Sequence, residues 1–275
     1  MPHRPDATPI HEPLRYRSML SYILLTLGGL LFGSVVYRYD MHEREPWWML
    51  LLSCAGGAVA MASAFALEYA ALVALANSGL PYDYALVHAT LAGVLEELGK
   101  FLIPLAALLL FRKQFNDPMD GLIYGCMAGL GAALYEAVWF MVNEPATTQD
   151  AAAWLPLLHH RAQDAVRLLM HTCWGGLGGY ALGLIVLKKP YRLELAKTLG
   201  GAILLHLVWD LFVGFANEQT LAHRLFAALT LGATVVWFGF LTVQANRWSR
   251  QMHAPQSKQK LTTRIIRAIL TRKFK

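Results

Sequence analysis

Seven long apolar stretches divide this chain, at about 19–36, 48–76, 84–111, 119–142, 162–187, 198–216 and 222–244. Each reaches the roughly 18 residues that a membrane-crossing helix needs. A span inside lipid must satisfy its own backbone N–H and C=O groups, and a helix does so without a neighbour. The expected fold is therefore all-α: a polytopic transmembrane helical bundle of seven spans, or eight if the long second run is broken. That run is rich in Ala, Gly and Ser, which suits close packing or strong tilt. Composition agrees, since the chain is 56% hydrophobic and only 15% charged, against about 25% charged in a soluble domain. The first run is too long for a signal-peptide core and lacks a small-x-small cleavage site after it, so it reads as a retained anchor.

The organisation that follows is a polar N-terminal segment at 1–18, one transmembrane helical domain at 19–246 and a basic tail at 247–275. Trp47 and Trp48 mark a membrane interface, the depth tryptophans favour. Asn77 to Pro81 reads as a turn. With seven spans, Arg38, Arg44, Arg112, Lys113, Lys188, Lys189, Arg192 and Lys197 share a side with the tail. The opposite side holds Arg4, Arg15, Arg17, Arg161 and Arg224. This bias places the C-terminus in the cytoplasm, in a cell membrane, although the three N-terminal arginines oppose it. The net charge of +6 is concentrated near the C-terminus. It points to anionic lipid, not nucleic acid, and the 261–270 segment has the spacing of a surface-lying amphipathic helix. Cys54, Cys126 and Cys173 fall in apolar runs and read as packed thiols rather than a disulfide or a metal site.

The third run contains Leu95-Glu96-Glu97-Leu98-Gly99-Lys100. Each ionised residue at a span centre costs about 2.5–3.5 kcal/mol even on mild scales. On a helix Lys100 reaches both Glu96 and Glu97 but neutralises only one. The other carboxylate is left for a proton, a metal or a water. Three more runs carry polar groups: Glu136, then Arg167 and His171, then His206 and Asp210. At about 1.5 Å rise per residue, Glu96, Glu136, His171 and His206 all fall roughly 12–25 Å into their spans. One shared polar centre satisfies them together. His206 and Asp210 are four apart, so the carboxylate is expected to fix the imidazole tautomer. Arg167 and His171 are also four apart, which favours a neutral His171. Glu68, without a charged neighbour in sequence, reads as structural.

These residues fall into a pattern. Glu96-Glu97-Leu-Gly-Lys100, Tyr135-Glu136-Ala-Val-Trp-Phe140, His171-Thr-Cys-Trp-Gly175 and His206-Leu-Val-Trp-Asp210 occupy successive runs. In that order they resemble the EExxK, FExxxY, HxxxG and HxxxD motifs of the PrsW family of intramembrane proteases, within the superfamily of CAAX prenyl endopeptidases and Abi proteins. Asp40 to Pro46 and Asp117 to Gly121 look familial too. The resemblance covers about residues 20–215. It departs at the second motif, where Tyr135 stands for Phe and Phe140 for Tyr, so the family hydroxyl is missing from that place. The resemblance implies hydrolysis of a peptide bond in a membrane-associated protein, with an anti-sigma-factor-like partner by resemblance only.

The reading preferred on the residues is a glutamate-dependent hydrolase without a cofactor. Glu96 acts as general base and Lys100 keeps Glu97 ionised. A water between Glu96 and His171 attacks the carbonyl, and His206, oriented by Asp210, serves the oxyanion or the leaving amine. Glu136 completes the network. A zinc-dependent version would use Glu96, His171, His206 and Asp210 as ligands. No GxSG serine or GxGD aspartyl motif is present. The rival classes are a proton-coupled transporter using the same Glu/His/Asp groups, and a non-catalytic scaffold in which the cluster is structural.

Overall fold

A computed structural model describes residues 12–39, 44–143, 154–214 and 220–253. Among these, seven helices and no strand occur: α1 (Glu12–Tyr39), α2 (Trp47–Asn77), α3 (Tyr84–Leu110), α4 (Asp120–Asn143), α5 (Trp154–Val186), α6 (Arg192–Trp209) and α7 (Leu221–His253). A π-helical turn, Asp210–Gly214, continues α6. The architecture is the expected all-α bundle. Five helices, α2 and α4 to α7, are long and apolar enough to cross a membrane. α3 carries three ionisable residues, which cost it that apolar character. The described apolar part of α1, Tyr22–Arg38, is shorter.

The expected alternative of eight spans is not realised, because α2 runs unbroken for 31 residues. At about 1.5 Å per residue it is some 46 Å long, well beyond a ~30 Å hydrocarbon core, so it tilts or projects. It ends in the expected turn, where Gly79 takes φ +69°, a conformation glycine adopts without a Cβ penalty. Asp83 then caps α3 by accepting from the Leu86 N–H at 2.9 Å. Helices also outrun the apolar stretches. α1 starts at Glu12, inside the expected polar segment, and α7 reaches His253, beyond 246. Helical hydrogen bonding does not stop where the apolar residues stop. The expected surface helix at 261–270 lies outside the described residues, as do residues 1–11.

α4 is the axis of the bundle. Every residue from Asp120 to Ala133 is buried. Its small residues explain how. A Cβ on Gly121, Gly125 or Gly129 would collide with the backbone carbonyls of Gly179, Gly175 and His171 on α5. The two helices thus run antiparallel in backbone contact, with Gly at every fourth position on both sides, the small-xxx-small mode of lipid-immersed helices. α4 meets α2 as closely elsewhere, with Gly131 against the Cys54 carbonyl and Gly57 against that of Ala128. This sets the register of α5 against α4, and with it the position of His171.

One end of the bundle gathers the start of α2, the end of α3, the start of α4, the end of α5 and the end of α7. Trp48 meets Phe111 edge-on at 5.7 Å. The Tyr124 hydroxyl donates to Glu45. Asp117 Oδ2 accepts from Ser249 Oγ at 2.7 Å and from His253 Nε2 at 2.9 Å. Lys189 Nζ lies 3.7 Å over the Trp248 ring. The loops bearing Arg112, Lys113, Lys188 and Lys189 therefore share one end, as seven alternating spans require.

Candidate active site

Four helices deliver the polar residues to one buried point. α3 provides Glu96, Glu97 and Lys100 on one face, all at most 5% exposed. Pro104 follows Lys100 by four residues inside α3. It has no N–H to offer, so the Lys100 carbonyl lacks its helical partner. α5 provides His171 and α6 provides His206, both buried. The π-helical turn begins at Asp210, four residues after His206. Such turns often sit at functional sites.

Lys100 organises the centre. Its Nζ bonds Glu97 Oε1 at 2.5 Å and His171 Nδ1 at 2.9 Å. An ammonium only donates, so His171 Nδ1 accepts and its proton sits on Nε2. This agrees with the neutral His171 expected. His171 Nε2 faces Glu136 Oε2 at 2.9 Å, while Arg167 Nε lies 3.2 Å from Glu136 Oε1. The His171–Glu136 approach is close but not aligned as a hydrogen bond, since Glu136 Oε2 has no hydrogen-bond partner. Arg167 also holds Asp164 at 2.8 Å.

One expectation is corrected. His206 Nδ1–H donates to Glu97 Oε1 at 2.8 Å. Asp210 Oδ2 is 3.5 Å from the other ring nitrogen. The carboxylate that orients His206 is therefore Glu97, which arrives from α3. The i,i+4 spacing put Asp210 near the imidazole but not in line with Nδ1. Lys100 and His206 both bond the same Glu97 oxygen, which compensates its buried charge.

Glu96 is the member left over. Its Oε2 is buried without a hydrogen-bond partner. It faces His206 Nε2 at 3.6 Å, with His171 Nδ1 and Lys100 Nζ both at 3.9 Å. One donor atom each from Glu96, His171 and His206 lie within 4.8 Å of one another. Two imidazoles and a carboxylate are a suitable donor set for zinc, and three protein ligands leave a position for water. The orphaned Glu96 oxygen at their meeting point fits a cation in that place. The His206–Glu97 bond has the form of the carboxylate partner that orients a ligating histidine. Asp210 stands at the edge of this trio, not within it.

Two contributors escaped the sequence reading. Trp174 stacks on His206 at 4.5 Å, lies edge-on to His171 at 5.5 Å and donates from Nε1 to Thr234 Oγ1 at 3.2 Å. The signal was its position three residues after His171, on the same helix face. Glu68, on α2, was read as structural. It is buried, its Oε1 has no hydrogen-bond partner, and it interacts electrostatically with His206, Asp210 and Glu136. It belongs to the polar centre, but no neighbour in its own sequence reveals that. At the swapped aromatic positions, Tyr135 packs on Phe65 and Trp139, and Phe140 lies 4.8 Å under the Arg167 guanidinium.

Comparison with known families matches residues 45–242 to the PrsW family intramembrane metalloproteases. No curated protein and no solved structure matches the chain. The family match covers well over half of the sequence and takes in every residue of the buried centre. The chain belongs to the PrsW family of intramembrane metalloproteases.

Proposed function

We propose that this protein hydrolyses a peptide bond of a membrane-associated protein at the point where Glu96, His171 and His206 converge, with a divalent cation, zinc by its donor set, held by these three residues. The observation that carries the reading is the buried, unpartnered Glu96 Oε2 facing His206 and His171. When bound, such a cation supplies Lewis-acid polarisation of the scissile carbonyl and eases deprotonation of water. The chain's own residues do the rest. Lys100 and Glu97 fix His206 so that Nε2 points at Glu96. Arg167 fixes Glu136 beside His171 Nε2. Trp174 covers the imidazoles and limits water. Glu136 and Asp210 are the more open carboxylates, with side chains 17% and 19% exposed, and either would take the proton given up by the attacking water and pass it to the leaving amine.

A metal-free version has one specific support. Lys100 Nζ already occupies His171 Nδ1, which places a fixed cation beside one candidate ligand. In that version Glu96 itself takes the proton from water. Purified protein in detergent, incubated with a single-span substrate, distinguishes the two. The metal reading expects about one zinc per chain by elemental analysis, and loss of cleavage with a chelator that added zinc restores. Full activity in metal-depleted protein would leave the glutamate version standing. The substrate is expected to be a membrane protein, and the basic end of the bundle to face the cytoplasm. Protease protection of a tagged C-terminus in sealed cells and vesicles tests the orientation.

A further inference from the structure

A cavity of about 720 Å³ opens at the basic end of the bundle and reaches inward as far as Phe101, the neighbour of Lys100. Leu105 and Leu109 of α3, Leu182 and Val186 of α5, and Leu195 of α6 line it. Arg112 and Asn116 also line it, from the loop that follows α3. The Arg112 guanidinium has no ion-pair partner among the described residues. Trp48 against Phe111, and Lys189 over Trp248, lie at the same end, and tryptophan favours headgroup depth. An apolar throat that ends in an arginine with no ion-pair partner among the described residues matches a lipid with a charged head and an apolar chain.

We propose that this cavity binds an anionic phospholipid, with the headgroup phosphate on Arg112 and one acyl chain lying between α3, α5 and α6. Arg112 offers a guanidinium fork that suits phosphate. Lys113, Lys188 and Arg192 lie in or next to the loops at this end and add positive potential. Basic pockets between transmembrane helices are recognised sites for anionic headgroups. The cavity is small for a substrate helix, since its volume equals about two turns of a rod about 10 Å across, whereas a single acyl chain is narrow enough to follow it.

The test uses the full chain in detergent, with phosphatidylglycerol and phosphatidylcholine titrated separately and retention read by native mass spectrometry. Phosphatidylglycerol is expected to be retained preferentially. Arg112→Gln is expected to lower its retention about fivefold, the contribution of one basic residue near a lipid headgroup, and to leave phosphatidylcholine unchanged. A phosphatidylglycerol with a diazirine on its acyl chain is expected to label peptides containing Leu105, Leu109 and Leu182. Leu109→Trp, at a position 56% exposed, is expected to remove that labelling without loss of protein. Equal retention of the two lipids, unchanged retention in Arg112→Gln, or label confined to the basic tail would each overturn the proposal. So would displacement of the labelled lipid by a single-span peptide, which would assign the cavity to substrate. None of these readouts depends on cleavage, so failure here is separable from failure of the proposed hydrolysis.

Discussion

Glu97 on α3 and His206 on α6, 109 positions apart in sequence, are joined by a 2.8 Å hydrogen bond from Nδ1–H to Oε1. That bond fixes which imidazole nitrogen is free, and the free one is the nitrogen that faces Glu96. Asp210, only four residues from His206, is the more distant partner. Glu97→Gln is therefore expected to lower kcat about 10–100-fold, the usual cost of losing a carboxylate behind a functional histidine. Asp210→Asn is expected to cost less. Cleavage of a single-span substrate in proteoliposomes gives the comparison, and a larger loss in Asp210→Asn would reverse the assignment.

Glu96, His171 and His206 meet from three helices. Glu96→Gln, His171→Ala and His206→Ala are each expected to reduce cleavage by about 100-fold or more, while the protein still accumulates in the membrane. Each is also expected to lower the zinc bound per chain. Activity near wild type in Glu96→Gln would remove Glu96 from the mechanism.

The α4–α5 contact is expected to tolerate no side chain. Gly129→Ala drives a methyl into the His171 carbonyl, and overpacking of this kind costs about 1–3 kcal/mol. The thermal midpoint in detergent should fall, and activity with it, because the clash lies on the residue that places His171. Gly200→Ala, where nothing lies within 4 Å, is the silent control. Equal behaviour of the two variants would contradict the close packing.

Glu68 carries a buried oxygen without a hydrogen bond. An unsatisfied buried polar group costs about 1–3 kcal/mol, so Glu68→Leu is expected to raise the thermal midpoint. Its electrostatic tie to His206, Asp210 and Glu136 predicts a simultaneous loss of cleavage. A variant that is more stable and fully active would return Glu68 to a purely structural role.

The swapped aromatics give a further contrast. Phe140 lies under Arg167, which holds Glu136. Phe140→Leu is expected to lower activity about two- to fivefold, the worth of an exposed to half-buried cation–π contact. Tyr135→Phe keeps its ring contacts with Phe65 and Trp139 and is expected to stay active. Inactivity of Tyr135→Phe would show that its hydroxyl supplies what position 140 lacks.

Sequence alone determined the all-α helical bundle and the ionisable residues inside its apolar runs. Apolar run length dictates a membrane helix, and an ionised group is too costly in lipid to lie there unaccompanied, so Glu96, Lys100, His171 and His206 had to meet. Spacing also ranked local partners correctly for Lys100 and Glu97, which sit on one helix face. It misjudged His206, because an i,i+4 neighbour shares a face without sharing a hydrogen-bond direction. The tertiary structure decided the rest. The glycine interlock of α4 and α5 sets the depth of His171 against Glu136. The approach of α3 to α6 brings Glu97 to Nδ1 of His206. The packing of α2 adds Glu68 to the centre, and Trp174 acquires its role only once α5 and α6 lie side by side. Each of these depends on the rotation and register of helices distant in sequence, which no local pattern encodes.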